Sequence, residues 1–284
     1  MTLSVLISDA ISEKGVEKLR AAGLQVDLKT GLKPEALAPL IGQYDAWIVR
    51  SATQATRDLI EKGIRLKVIA RAGVGLDNVD QSAAKARGIQ VLNTPGATSI
   101  AVAEHAIGLM LSLYRHIPAA DRTMRAGAWD KKRFEGRELH GKTLGLVGLG
   151  RIGQEVAKRG IALGMRVLAN RSRATRPSDD LSSLGIRVVP LEELLPASDI
   201  VSLHCPLNDT TQYLMNAKTF SQMRRGAILI HCARGGVVDE RDLGEALRSG
   251  HLAGAALDVF PEEPVQGIHP LAAIENVILT PHLG

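Results

Sequence analysis

Short apolar segments alternate with amphipathic segments along almost the whole chain. The apolar segments are three to five residues long, which is typical of parallel strands buried on both faces, and the segments between them carry apolar residues at helical spacing. Among the helices predicted in this way are 12–22 and 34–41. A first series of predicted strands covers 5–8, 26–28, 46–49, 68–71 and 90–92.

A second series of alternating segments begins at Thr143. Its predicted strands are 143–147, 166–169, 187–189, 200–203, 227–231, 253–257 and 277–279. Alternation of this kind predicts parallel sheets with helices on both faces, and two series predict two doubly wound α/β domains. We place these domains at 1–98 and 99–284. The predicted helix 99–113 joins them and is apolar nearly all round, so we expect it to be buried between domains or subunits.

Composition narrows the class of protein. Hydrophobic residues make up 45% of the 284 residues, without a long polar tract, as expected of a globular two-domain protein. No segment has the plan of a signal peptide or an uncharged run long enough to span a bilayer, so we expect a cytoplasmic protein with no membrane partner. Cys205 and Cys232 lack metal-ligand spacing, and we predict neither a metal site nor a disulfide.

The formal net charge of +5 suits anionic ligands. Aromatic residues account for only 3% of the chain, and basic residues are scattered apart from 131–133 and 171–176. Nucleic-acid binding usually requires a basic patch supported by stacking side chains. We therefore expect small anionic ligands rather than nucleic acid.

A glycine-rich turn follows the first strand of the second series. Gly148 permits a tight turn, Gly150 allows the backbone to approach a pyrophosphate, and Gly153 allows close packing of helix on strand. The backbone N–H groups around Arg151 and Ile152 then point toward the anion from a helix N-terminus. The strand before and the helix after the turn are those that dinucleotide binding requires.

The next predicted strand ends beside an unusual basic loop. Sites that prefer NAD place an acidic side chain here, which accepts hydrogen bonds from the ribose and repels a 2′-phosphate. This chain has Arg171 instead, between Asn170 on one side and Ser172 and Arg173 on the other. We predict a preference for NADP(H) over NAD(H), while a solvent-facing basic loop is the structural alternative.

Motifs across the chain resemble the D-isomer-specific 2-hydroxyacid dehydrogenases. They occur in the family's order, at 71–80, 93–95, 103–105, 145–153, 233–236, 258–260 and 280–282. Segments 49–53 and 129–134 look most like the D-3-phosphoglycerate dehydrogenases in that family. The resemblance implies a Rossmann nucleotide-binding domain, a flavodoxin-like substrate domain, and an NAD(P)-dependent oxidoreductase that transfers hydride between cofactor and a small D-2-hydroxy or 2-keto acid.

Three residues supply the side-chain chemistry that such a reaction needs. The planar fork of Arg234 suits a carboxylate and a carbonyl oxygen, and the imidazole of His282 suits proton exchange near neutrality. A carboxylate on the far ring nitrogen fixes the tautomer, and the resemblance selects Glu263 for this task. Each residue alone also has a structural interpretation, as an ion pair, a loop charge or a turn residue.

Further site residues are predicted at strand ends. The backbone N–H groups of Val74 and Gly75 suit a substrate carboxylate, as the resemblance implies. A second cluster has the cation and hydroxyl groups that bind a phosphate or a carboxylate: Arg50, Ser51 and Thr53. Additional cofactor contacts are predicted for Cys205, Pro206, Thr211, Cys232, Ala233 and Asp258.

The substrate and the assembly state stay open at this level. Thr98 stands where an asparagine is frequent in the resembled family, so the particular acid is not defined. A glyoxylate or hydroxypyruvate reductase using NADPH is the alternative enzyme, and a nucleotide-sensing protein similar to corepressors is the alternative of another class. The resemblance implies a homodimer through 99–113 and 129–134. It also implies a C-terminal helix, beyond 280–282, that completes the substrate domain.

Overall fold

Every strand pairing in the part of the chain that the structure describes is parallel. The structure is a computed structural model, and it describes residues 2–171 and 185–284. The chain divides into two units, Met1–Thr98 and Ser99–Gly284. Ser172 and Arg173, predicted above to contact a cofactor phosphate, lie outside the described residues.

The first unit contains a five-stranded sheet with the order β2-β1-β3-β4-β5. This is the flavodoxin-like order, in which the chain direction across the sheet reverses between β1 and β3. Its elements are β1 (Ser4–Ile7), α1 (Glu13–Ala21), β2 (Gln25–Leu28), α2 (Pro34–Ile41), β3 (Ala46–Val49), α3 (Arg57–Lys62), β4 (Val68–Arg71), α4 (Gln81–Ala86) and β5 (Gln90–Asn93).

The sheet of the first unit is buried on both faces. Alternate residues of a strand point to opposite faces, so Leu6 packs with Trp47 and Ile69 on one side, whereas Val5 and Ile7 pack on the other. The Trp47 side chain is fully buried, and its Nε1 donates a hydrogen bond to Ser8 Oγ at 2.9 Å. This bond satisfies the one polar atom of the ring.

The second unit contains a seven-stranded sheet with the order β12-β11-β10-β9-β6-β7-β8. The order in which successive strands are added across the sheet reverses between β6 and β9. Its elements are α5 (Ser99–Tyr114), α6 (Ile117–Arg125), a 3₁₀ helix (Lys131–Phe134), β6 (Thr143–Val147), α7 (Arg151–Ala162), β7 (Arg166–Asn170), β8 (Arg187–Val188), α8 (Leu191–Ala197), β9 (Ile200–Leu203), α9 (Ala217–Gln222), β10 (Ile228–His231), α10 (Glu240–Arg248), β11 (Gly254–Leu257), a second 3₁₀ helix (Pro270–Ala273) and β12 (Val277–Leu279).

The predicted doubly wound α/β architecture is confirmed by these two sheets. Helix α5 belongs to the second unit, where Ala103, Ala106 and Met110 are fully buried in the core beneath β6 and α7. The helix is not buried on every side, because Ile100 stays 54% exposed. Among the described residues, no helix is both long and apolar enough to cross a membrane.

His231 ends β10 and is 1% exposed. Burial lowers the pKa of His231 to about 3, because the charged imidazolium would lose its hydration. The unfolded chain therefore binds a proton at this residue more readily than the folded chain. The free energy of unfolding must fall as the pH decreases from about 6.5, the ordinary histidine pKa, toward the folded-state value.

Replacing His231 tests this linkage. We expect His231→Asn to flatten the plot of unfolding free energy against pH by on the order of 1 kcal/mol per pH unit between about pH 4 and 6. Urea denaturation at several pH values measures the slope, and His140→Asn is a control at an exposed histidine. An unchanged slope in His231→Asn would contradict the assignment.

Candidate active site

The three glycines of the turn after β6 have different tasks. Gly148 has a φ of +100°, and a Cβ there would lie 2.6 Å from the His204 carbonyl carbon. A Cβ on Gly153 would lie 2.2 Å from the Gly148 carbonyl oxygen. A Cβ on Gly150 would meet nothing within 4 Å. The first and third glycines thus permit backbone packing, whereas the second faces open space.

The open side of this turn fits a dinucleotide. Gly150 is the N-cap of α7, and its lack of a side chain leaves the first-turn N–H groups without a side-chain cap. Arg151, the first residue of the helix, is exposed, and Ile152 is half-buried. The turn also lies where the sheet order reverses, between the carboxyl ends of β6 and β9. Open α/β sheets bind nucleotides at such points.

Arg171 lies immediately after β7 and is half-buried. Its neighbour Asn170 secures the strand end, since the Asn170 carbonyl accepts a hydrogen bond from Gly148 N at 2.9 Å and its amide donates to Val189 O at 3.2 Å. Asn170 thus ties β7 to both the glycine turn and the segment after β8. The arginine follows on the same edge of the sheet as the turn.

The loop that carries Arg234 is packed tightly against its neighbour. A Cβ on Gly235 would overlap the Phe260 carbonyl, at 1.9 Å from its oxygen, and Gly236 has a φ of +84°. The backbone after β10 therefore touches the backbone after β11, which no side chain at Gly235 would allow. Arg234 is half-buried and donates a hydrogen bond from Nη1 to Ala233 O at 2.7 Å.

Glu263 and His282 are in direct contact. One Glu263 oxygen, Oε1, accepts a hydrogen bond from Phe260 N at 2.9 Å, and Oε2 lies 2.6 Å from His282 Nδ1. An ionised carboxylate only accepts, so Nδ1 carries the proton in this bond. The other ring nitrogen, Nε2, is then the one that can exchange a proton with a ligand. The side chains are 34% and 37% exposed, so a ligand can reach them.

Asp258 holds the loop that presents His282. Its carboxylate is 1% exposed, and Oδ1 accepts from Thr280 Oγ1 at 2.5 Å and from Leu283 N at 2.9 Å, while Oδ2 accepts from Gly284 N at 2.9 Å. His282 itself has a φ of 53°, a left-handed conformation that is costly for a residue other than glycine. The bonds on both sides of His282 hold it there.

His105 supports this anchor from helix α5. Its Nε2 lies 3.1 Å from Thr280 Oγ1 and 3.2 Å from Asp258 Oδ1. His105 lies in one of the motifs that resemble the family, but it was not among the predicted site residues. A separation of more than 150 residues along the chain hides this contact, and the only signal was the motif itself.

The remaining predicted cofactor residues lie at the same sheet edge. Cys205 lies two residues after β9 and Cys232 directly follows β10, and both are free and buried. Burial raises the pKa of the Cys205 thiol to about 11 and raises that of Cys232 further, which keeps both thiols neutral and unreactive. Ala233 is buried.

Pro206 and Thr211 belong to one turn after β9. The Thr211 hydroxyl donates to Pro206 O at 2.6 Å and accepts from Asn208 N at 2.8 Å. These bonds give Thr211 a structural task in shaping the turn.

Among the described residues, no group of three or more histidine, cysteine or acidic residues could hold a metal ion.

In the first unit, the predicted substrate residues follow adjacent strands. Arg50 and Ser51 are exposed after β3, and Thr53 is half-buried. Val74 and Gly75 are half-buried in the turn after β4, where Asn93 Nδ2 donates to Val74 O at 2.6 Å. These residues lie at the carboxyl edge of the sheet, near the point between β1 and β3 where the strand order reverses.

Arg71 is a residue at this edge that sequence reasoning did not assign. It pairs with Val49 in the β3–β4 ladder, so it lies beside the start of the Arg50 loop. A Cβ on Gly73 would be 2.6 Å from Arg71 Nη1, which shows that the guanidinium folds over this glycine. Only the strand register reveals that Arg50 and Arg71 are neighbours.

Comparisons with known proteins show which family this chain is similar to. The family described as "D-isomer specific 2-hydroxyacid dehydrogenase, NAD binding domain" matches residues 107–284. D-3-phosphoglycerate dehydrogenase of Archaeoglobus fulgidus is 44% identical over 281 residues, 99% of this chain and 53% of that protein. The chain thus spans about half the length of that relative. The matched family domain supports a nicotinamide cofactor in the second unit.

Two further matches cover most of this chain and most of the protein compared with it. Hydroxypyruvate reductase of Thermotoga maritima is 46% identical over 255 residues, which is 89% of this chain and 82% of that protein. A crystal structure of a Thermus thermophilus protein matches with a TM-score of 0.89 at 41% identity, covering 99% of this chain and 89% of that one. By its sequence and its two parallel sheets, the chain belongs to the D-isomer-specific 2-hydroxyacid dehydrogenase family.

Proposed function

We propose that this chain is the catalytic part of an NAD(P)-dependent dehydrogenase that interconverts a small D-2-hydroxy acid and its 2-keto acid, with 3-phosphoglycerate and phosphohydroxypyruvate as the pair. The observation that carries the proposal is the 2.6 Å contact between Glu263 and His282 at the carboxyl edge of the nucleotide-binding sheet. A histidine fixed by a carboxylate at such an edge suits proton exchange with a substrate oxygen.

His282 is the acid and base of the proposed reaction. A bound nicotinamide supplies the hydride donor or acceptor. In reduction, His282 Nε2 donates a proton to the carbonyl oxygen of the 2-keto acid, and in oxidation it removes the hydroxyl proton. Glu263 accepts the hydrogen bond from Nδ1 and so fixes the orientation of the ring. The left-handed backbone at His282 is held before any substrate arrives, which preserves the ring's orientation.

Arg234 orients the substrate in this proposal. Its guanidinium binds the carboxylate and the adjacent oxygen through two directed hydrogen bonds. The permanent charge also stabilises negative charge that develops on the oxygen during reduction. Backbone contact between Gly235 and Phe260 fixes the loop from which the arginine projects.

The first unit supplies the other substrate contacts. The N–H groups of Val74 and Gly75 receive the carboxylate, and Arg50 and Ser51 bind the phosphate at the far end. The Thr53 hydroxyl, which the sequence also suggested for the phosphate, donates its hydrogen bond to Asp9 Oδ1 instead and holds the loop. The position of these residues beside the reversal point of the sheet supports this assignment, since ligands of doubly wound folds bind there.

A second candidate substrate is hydroxypyruvate, which lacks the phosphate. The similarity to a relative named hydroxypyruvate reductase, over 82% of that protein, favours it. The two candidates share Arg234, Glu263 and His282, and they differ in the need for Arg50.

For the cofactor, we propose a preference for NADP(H). Arg171 follows β7 on the edge that carries the glycine turn, where its charge attracts a 2′-phosphate and no carboxylate at this position repels one. Ser172 and Arg173, which lie outside the described residues, are assigned to the same phosphate from the sequence alone.

We also propose a homodimer formed through α5 and residues 129–134. Trp129 is 81% exposed and Ile100 of α5 is 54% exposed, so both segments carry an apolar side chain that a second copy would cover.

Turnover assays test the proposed reaction. With phosphohydroxypyruvate, hydroxypyruvate and glyoxylate, we expect oxidation of NADPH to be fastest with the phosphorylated acid. His282→Asn should lower kcat by about 100- to 10,000-fold, the usual contribution of a positioned acid or base, and Glu263→Gln by about 10- to 100-fold. His140→Asn, an exposed histidine before β6, is the control. Absence of turnover with every acid would refute the enzyme proposal and favour a nucleotide-sensing protein.

A charge reversal tests the cofactor proposal. We expect Arg171→Asp to lower kcat/KM for NADPH by about 10- to 100-fold relative to NADH, because one charge-assisted hydrogen bond to the phosphate is lost and a repulsion is added. Arg187→Asp makes the same change on neighbouring β8 and should leave the ratio unaltered. Equal or better efficiency of the unaltered protein with NADH would contradict the preference.

The open space at Gly150 gives a further test. We expect Gly150→Ala to weaken cofactor binding by about 10-fold or more, since a methyl group would occupy the path of the pyrophosphate, while an alanine N-cap costs only about 1 kcal/mol of stability. Gly153→Ala should instead lower the melting temperature, because its Cβ collides with backbone. Cofactor titration and thermal denaturation separate the two effects. Unchanged cofactor affinity in Gly150→Ala would exclude this binding mode.

A further inference from the structure

We propose that Asp9 is a positioning residue for substrate phosphate, acting through the loop of residues 50–53. This inference rests on the proposed function, which assigns Arg50 and Ser51 to the phosphate. Asp9 was not predicted from the sequence as a site residue. It lies two residues beyond the end of β1, at the reversal point of the first sheet.

The Asp9 carboxylate binds the loop at both ends. Oδ2 accepts hydrogen bonds from Arg50 N at 2.6 Å and from Thr53 N at 3.1 Å, and Oδ1 accepts from Thr53 Oγ1 at 2.8 Å. Asp9 is 7% exposed, so water competes little with its carboxylate for these donors. Three bonds to one buried carboxylate fix the path of the loop.

Asn78 completes the clamp from the opposite direction. Its Nδ2 donates to Arg50 O and to Thr53 O, both at 2.6 Å, and the residue is 9% exposed. The N–H groups of Arg50 and Thr53 therefore bond to Asp9, while their carbonyl groups bond to Asn78. Both ends of the loop are held by side chains from other segments of the chain.

The clamp leaves the Arg50 charge accessible to a ligand. Asp9 bonds to the main chain of Arg50, and the guanidinium Nη1 donates to the neutral Ala10 carbonyl at 3.2 Å. The exposed guanidinium is thus oriented without being neutralised by a carboxylate in these bonds. Because the loop loses its conformational freedom on folding, binding of the phosphate does not have to order it.

A matched control exists at the other end of the same sheet. Asp45 is also 7% exposed, and it accepts hydrogen bonds from Ser4 N and Ser4 Oγ, both at 3.0 Å, and from Arg65 Nη2 at 2.9 Å. It precedes β3 rather than following it, so it lies at the amino edge of the sheet. Asp45→Ala should destabilise the unit without altering the loop.

The experiment combines hydrogen exchange with substrate discrimination in the full chain. In Asp9→Ala, amide exchange at Arg50 and Thr53 should rise by about 10-fold or more, because both donors lose their acceptor. KM for phosphohydroxypyruvate should rise by about 10-fold with little change in kcat, while KM for hydroxypyruvate stays nearly constant. Asp9→Asn keeps one acceptor oxygen and should recover part of the loss. Asp45→Ala should change neither the exchange nor the ratio of the two KM values.

Arg50→Gln separates failure of this inference from failure of the proposed function. If Arg50→Gln raises KM for the phosphorylated acid and Asp9→Ala does not, Asp9 has no positioning role. Unchanged exchange in Asp9→Ala, or equal losses with both acids, also overturns the inference. If Arg50→Gln has no effect, or the chain turns over neither acid, the assignment of this loop to phosphate is wrong and the proposal for Asp9 falls with it. The exchange data then describe a structural clamp only.

Discussion

Parallel strand pairing is the constraint on which the rest of this structure depends. Parallel neighbours cannot be joined by a tight turn, so each strand is followed by a crossover that returns the chain to the same starting edge. All strand-to-helix loops of one sheet consequently emerge at its carboxyl edge. In the second unit this places the glycine turn after β6 on the same edge as the loops that carry Arg234, Glu263 and His282.

Loops brought to one edge must still be held against each other. Two kinds of contact hold these loops together. Glycine permits direct backbone contact, as between Gly235 and Phe260 or between Gly148 and the end of β9. Buried carboxylates then bind the backbone N–H groups of a neighbouring loop, as Asp258 and Asp9 do.

The two buried aspartates have the same physical logic in different units. A carboxylate accepts several hydrogen bonds at once, and those bonds are strong where water is excluded. Asp258 thereby stabilises the left-handed backbone at His282, and Asp9 fixes the ends of the Arg50 loop. In each case the residue proposed for the site, His282 or Arg50, remains accessible, while the residue that orients it is buried. One residue is thus exposed to a ligand, and a second, buried residue holds it in place.

The sequence by itself determined the element types, the two parallel sheets, the glycine turn and the family, because hydrophobic periodicity and local motifs record interactions between residues close in the chain. It also selected Glu263 and His282 as partners, through the resemblance. The tertiary structure decided which distant residues meet. The contact of His105 with Asp258, the neighbouring positions of Arg50 and Arg71, and the clamp by Asp9 and Asn78 depend on strand register and on loop packing. Such contacts join segments far apart along the chain, and no local pattern of residues encodes them.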